Sequence, residues 1–167
     1  TTLAAQCGLE IENGVRVNEL LQTSDPHIFA AGDCCSFPHP IYGGKRIRLE
    51  SWRNARDQGI HAARNMLGAD EPYTSVPWFW SDQYDLSLQV TGLPNEGEKT
   101  VMRDLGDDGK LFFHFTTDGK LVAASGIGTA AIAKDIRIAE MLIEKQVVLD
   151  LEAFARPEVK LKSLLKA

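Results

Sequence analysis

TSDPHIFAAGDCC, residues 23–35, is the stretch on which the reading of this chain turns. Four apolar residues, Ile28, Phe29, Ala30 and Ala31, follow a Pro-bearing turn and end on Gly32 and Asp33. A short apolar run bounded in this way predicts a buried strand. Open α/β folds bind small molecules at the carboxyl ends of such strands. Gly32 would let a ligand approach the backbone closely, and Asp33 would accept hydrogen bonds from its hydroxyls. The same aspartate would serve equally well as the cap of a following turn. These residues alone leave both roles open.

On the N-terminal side, Leu9 and Ile11, then Asn13-Gly14, then Val15 and Val17 predict a hairpin. On the C-terminal side, a loop with Pro38, Pro40, Gly43 and Gly44 leads into a helical pattern from Asn54 to Leu67. Ala55, Gly59, Ala62 and Met66 fall on one stripe of it. Glycine inside a helix costs about 1 kcal/mol against alanine, so that stripe is expected to pack closely on something flat. GADEPYTSVPWFWSDQ, residues 68–83, has the composition of a linker yet holds Trp78 and Trp80. The two share parity and point to one side of an extended segment. Interdomain packing and the wall of a flat aromatic cofactor both account for such a pair.

Past a boundary placed near Gln83 the character changes. YDLSLQV (84–90), KTVMRD (99–104), KLFFHFT (110–116) and KLVAAS (120–125) read as four strands of an antiparallel meander. A helix over about 129–145 should bury Ile132, Ile136, Ala139 and Ile143, and a short helix is expected around 161–165. The fold class is α+β.

The 167 residues are 44% hydrophobic and 25% charged, and no apolar stretch approaches the roughly 20 residues of a membrane span. A net charge of −5 excludes a generally nucleic-acid-seeking surface. The charge is uneven, however. Between Gly43 and Arg64, six cations (Lys45, Arg46, Arg48, Arg53, Arg56, Arg64) stand against Glu50 and Asp57, a local +4. Such a run is a solvated face or a dock for an acidic partner or a phosphate. Cys7, Cys34 and Cys35 show no disulfide spacing, which favours a reducing, cytoplasmic setting.

GIGTAA, residues 126–131, fits the G-x-G-x-x-G/A dinucleotide fingerprint. It follows a strand of an antiparallel meander, and no parallel strand succeeds the helix, so the βαβ unit is lacking. A tight glycine turn entering a helix is the better reading. Cys34, Cys35 and His39 lack a second ligand pair, and no metal site is expected. Neither G-x-S-x-G nor HExxH occurs, and no catalytic residue is assigned.

Taken together, NGVRVNELLQTSDPHIFAAGD (13–33), RLESWRNARDQG (48–59) and VPWFWSDQYDL (76–86) resemble the FAD-dependent ferredoxin reductases of bacterial oxygenase systems, in their C-terminal part. The resemblance covers essentially the whole chain and is most specific at these three motifs. It implies that residues 1–83 are the last segment of an FAD-binding domain. Residues 84–167 would then be the reductase C-terminal α+β domain. It also implies that Gly32 and Asp33 hold the ribityl chain of FAD and that Trp52 contacts the isoalloxazine. The helix beginning near Asn54 would point its N-terminus at the flavin, with Trp80 beside it. The parent would take hydride from NAD(P)H and pass electrons singly to a [2Fe–2S] ferredoxin. The family's N-terminal FAD fingerprint, its NADH-binding domain and the lysine and glutamate near flavin N5 have no counterpart here. The chain therefore reads as a fragment, expected to be inactive alone and to hold no stoichiometric FAD. The rival expectation is a non-catalytic module for homodimerisation or interaction.

Overall fold

In a computed structural model, which describes residues 1–166, the Asn13-Gly14 pair makes the turn that its sequence predicts. Both residues have positive φ, 51° and 133°, and Ile11 bridges Val15 across the turn. Gly14 is also sterically required, because a Cβ there would lie 2.7 Å from the Cys34 carbonyl oxygen. A short helix α1 (Thr2–Gln6) precedes the turn, and strand β1 (Val15–Arg16) leaves it. β1 pairs in parallel with β2 (Cys35–His39), which returns through a 3₁₀ turn to antiparallel β3 (Lys45–Ile47). Helix α2 (Trp52–Met66) follows. Val17, Leu21, Cys35, Phe37, Ala62 and Tyr73 form the buried cluster of this first unit, Thr1–Ser75.

Three expectations fail in this unit, the first being the loop around Pro38, Pro40, Gly43 and Gly44, which instead holds strands β2 and β3. Residues 28–31 are not a buried strand: Phe29 makes one bridge, to Gln22, and Ile28 is 38% exposed. Leu21, at φ 64°, turns the opposing chain away, so the pairing stops there. The apolar stripe expected on α2 is not the buried face either. Gly59 faces open space and Met66 is 60% exposed. The buried row is Asn54, Gln58, Ala62 and Asn65, which has helical spacing but is mostly amide.

The second unit begins at Val76 rather than near Gln83. Residues 78–83 are not linker but strand β4 (Trp78–Gln83), paired over its whole length with β5 (Leu86–Gly92). β6 (Lys99–Asp104), β7 (Gly109–Phe115) and β8 (Leu121–Gly128) complete an antiparallel sheet of order β4-β5-β8-β7-β6. The meander holds for β6 to β8, after which β8 returns to pair with β5. Helix α3 (Ile132–Lys145) packs on β5 and β8 and buries Ile132, Ile136, Ala139 and Ile143, as its periodicity demands. The glycines of GIGTAA lie at the end of β8. A Cβ on Gly126 would meet Leu111 Cδ2 at 2.6 Å, and one on Gly128 would meet the Asp108 oxygen at 2.1 Å. They serve close strand packing.

Helix α4 (Leu151–Ala155), absent from the sequence reading, is capped by Asp150, whose carboxylate accepts from the Glu152 N–H at 3.0 Å. Helix α5 (Leu161–Leu164) ends the described chain. Buried Arg103 ties this end to the sheet by donating to the carbonyls of Phe154 (2.7 Å), Ala153 (3.0 Å) and Val159 (3.1 Å). Among the described residues no helix is long and apolar enough to cross a membrane.

Candidate functional site

The 3₁₀ turn Gly32–Cys34 carries the aspartate that the sequence singled out. The chain enters it extended at Ala31 and reverses at Gly32, whose φ is 79°. Glycine is needed here for a second reason: a Cβ would come within 3.2 Å of Ala55 Cβ on α2. The Gly32 N–H donates to Gln58 Oε1 at 2.7 Å. Asp33 is exposed, and its carbonyl accepts from Arg48 Nη1 at 3.1 Å. Cys34 is exposed and Cys35 buried. Burial, with Cys34 beside it, pushes the Cys35 thiol up to about 12, so it stays protonated and donates to Gln58 Oε1 at 3.1 Å. Buried His39 donates from Nε2 to the Ser75 carbonyl at 3.0 Å, and burial holds its pKa down. Among the described residues no cluster of His, Cys, Asp and Glu is disposed to hold a metal.

Helix α2 begins two residues before the sequence estimate. Ser51 caps it, its Oγ accepting from the Asn54 N–H at 3.4 Å. Trp52 opens the helix 66% exposed, with the Arg56 guanidinium 5.6 Å above its ring. Asn54 points inward. Its Nδ2 donates to the Leu49 carbonyl, and its Oδ1 accepts from the Tyr73 hydroxyl, both at 3.4 Å. The N-terminal end of such a helix carries about half a positive charge.

Gly32, Asp33, Trp52 and Asn54 therefore belong to one unit, where the turn packs on the first turns of α2. Asn54 supports this arrangement from inside rather than offering its side chain to a ligand. Trp80 lies in the other unit, on β4, 40% exposed and opposite Gln89. It shares its strand face with Trp78, as parity requires. Gln58 was not singled out in the sequence, and its only signal was an amide one helical turn beyond Asn54.

Most of the positive run 43–64 is engaged within the unit. Arg46 donates to the Val17 and Ser36 carbonyls and pairs with Glu12 at 3.4 Å. Arg48 pairs with Glu50, Arg53 with Asp57 (3.5 Å) and Arg64 with Glu71 (3.4 Å). A pair exposed on both sides, such as Arg64–Glu71, is weak. A polar recess of about 300 Å³, lined by Glu10, Arg16, Asn18, Thr23, Ser24 and Arg46 among others, shares no residue with the turn.

The model of the reductase C-terminal family matches residues 78–165, and that of the pyridine nucleotide-disulphide oxidoreductases matches residues 1–59. The ferredoxin–NAD(+) reductase component of the anthranilate 1,2-dioxygenase system of Burkholderia cepacia is 40% identical over 98% of this chain. The chain spans 39% of that relative's length. Putidaredoxin reductase of Pseudomonas putida is 40% identical over 60% of this chain and 24% of its own. Among solved structures, the covalent putidaredoxin reductase–putidaredoxin complex superposes with a TM-score of 0.89 at 29% identity, over 99% of this chain and 39% of the other. A ferredoxin reductase of Rhodopseudomonas palustris gives 0.87 at 33% identity, over 98% of this chain and 40% of that one.

Proposed function

The chain belongs to the reductase C-terminal family, and from that premise we propose that it works as the C-terminal part of an FAD-dependent NAD(P)H:ferredoxin reductase in the cytoplasm. Gly32 and Asp33 would hold the ribityl hydroxyls, and Trp52 would lie against the ring system. The positive end of α2 would favour negative charge on the ring's pyrimidine side. Bound flavin supplies the exchange between a two-electron hydride donor and a one-electron acceptor. The residues present suit such a ligand: an exposed carboxylate at Asp33, a helix start and an exposed indole. The acceptor is proposed to be a [2Fe–2S] ferredoxin, drawn to the cationic side chains around Arg53 and Arg56 by complementary charge.

The observation that carries this reading is the seating of the Gly32–Asp33 turn on a fifteen-residue helix that opens with an exposed tryptophan. In the full-length reductase, Asp33→Ala is expected to lower the flavin retained through gel filtration, read from its absorption band. Full retention would overturn the reading. The 167-residue chain alone is expected to purify colourless, since these residues address only the ring and ribityl portions of the cofactor. One tightly held FAD per chain would contradict that expectation, and a concentration-dependent dimer would favour an interaction module.

A further inference from the structure

Gln58 is wholly buried, at 0% exposure, in a row where an aliphatic residue would be the ordinary choice. Its Oε1 accepts from two donors at once, the Gly32 N–H at 2.7 Å and the Cys35 Sγ at 3.1 Å. A carboxamide oxygen has two lone pairs, and both are used. Those donors stand on either side of Asp33 and Cys34 in the sequence, so one atom on α2 grips both ends of the turn. The other end of the same side chain is unsatisfied. Gln58 Nε2 has no hydrogen-bond partner among the described residues. A buried donor left in that condition is destabilising, and methionine at this position would escape the penalty. What the oxygen does must offset it.

We infer that Gln58 is the positioning residue of the Gly32–Asp33 turn, fixing from the side of α2 where the Asp33 carboxylate is presented to a ligand. The fixing of the turn is independent of the ligand. The naming of that ligand as flavin rests on the function proposed above. Asn54 and Asn65, in the same row, make their hydrogen bonds to other segments, at Leu49, Tyr73, Leu20 and Glu71.

The test compares Gln58→Met, which removes the acceptor, with Gln58→Glu, which keeps an acceptor oxygen and, held as the neutral acid by burial, has one O–H in place of the amide's two N–H groups. In the 167-residue chain, amide hydrogen exchange is followed at Gly32 and, as a control for general loosening of α2, at Ala62. The Met variant should speed exchange at Gly32 about tenfold or more while Ala62 changes far less, and the Glu variant should restore protection to within about threefold. Unchanged protection at Gly32 in the Met variant overturns the inference, as does a parallel rise at Ala62 or a Glu variant that behaves like Met. Should the Met variant fail to fold, loss of Gly32 protection in the Glu variant does so as well. In the full-length reductase, FAD is the probe. Gln58→Met should raise its dissociation constant about tenfold, with the Glu variant near the parent. If Asp33→Ala is silent there, the flavin reading fails while the exchange result still decides the positioning. If Asp33→Ala weakens FAD and Gln58→Met does not, this inference fails.

Discussion

In the first unit the inward face of α2 carries Asn54, Gln58 and Asn65, whereas in the second the inward face of α3 carries Ile132, Ile136, Ala139 and Ile143. Both helices are of similar length and both bury one stripe. The aliphatic row gains from any apolar surface of the right shape and does not care which backbone atoms lie opposite. An amide row is different. Each of its members must find a particular carbonyl, hydroxyl or N–H, so it fixes the conformation of the loops that supply them. Asn65 alone meets the Leu20 carbonyl and both backbone groups of Glu71. The candidate site stands on the helix that shapes loops, and the helix that merely buries area supports a sheet.

The largest effect should come from the apolar unit. Phe113 is fully buried, edge-on to Phe154 at 4.9 Å between ring centres. Phe113→Ala is expected to cost about 3–5 kcal/mol. Urea unfolding followed by hydrogen exchange of β7 and β8 would measure it, and a loss below about 1 kcal/mol would break the contrast between the two cores.

Arg103, buried in the second unit along with the polar Thr91 and Glu140, is the sharpest challenge to the comparison. Its guanidinium lies 5.8 Å from the Phe113 ring centre and serves three carbonyls of the C-terminal segment. Burial lowers its pKa, with Asp135 and Glu158 opposing. Arg103→Ala would strand those carbonyls, at an expected cost of about 2–4 kcal/mol. Lysine, lacking the planar fork, should recover only part of that. If exchange in residues 151–164 is unaffected by either change, Arg103 is not the clasp of that segment.

A smaller loss is expected from Asn65→Ala in the first unit, about 1–3 kcal/mol. It should be read as faster exchange around Leu20 and Glu71, with α2 itself retained. Uniform loosening of α2 would mean that the amide row is packing material after all.

What was legible in the sequence follows the same division. The α3 stripe, the Asn13-Gly14 turn and the strands β5 to β8 announce themselves through local periodicity and turn chemistry. Strand β4 did not. Its flanks are rich in Gly, Pro and Ser, and its turn to β5 runs through Tyr84, at φ 55°, with no glycine to mark it. The buried face of α2 was misread because counting apolar residues is blind to an amide whose partners are remote in sequence. Gln58 and Gly32 lie 26 positions apart. At the candidate site, Gly32, Asp33 and Trp52 came from motifs, while Gln58 required the fold.

The smallest expected effect is a pH dependence carried by one histidine in each unit. Burial lowers the pKa of His39, partly offset by its bond to the Ser75 carbonyl, and lowers that of His114. A histidine whose folded pKa lies below its ordinary 6.5 is protonated more readily in the unfolded chain. Stability is therefore full above about pH 6.5 and is lost as the pH falls from there toward the folded value. The two sites differ in how they would take a proton. His114 has the Thr100 hydroxyl 3.2 Å from Nδ1 and the Ser125 hydroxyl 3.3 Å from Nε2, and each can accept from a charged ring. Buried His39 offers its Nδ1 no partner among the described residues, so an added N–H there would be stranded. Acid should weaken the first unit more than the second. Urea midpoints measured between about pH 7.5 and 5.5, with exchange read separately in each unit, test this. His39→Gln should flatten the acid dependence of the first unit, and His114→Gln should change that of the second only slightly. A steeper acid loss in the second unit would show that the stranded nitrogen of His39 is not what distinguishes the two.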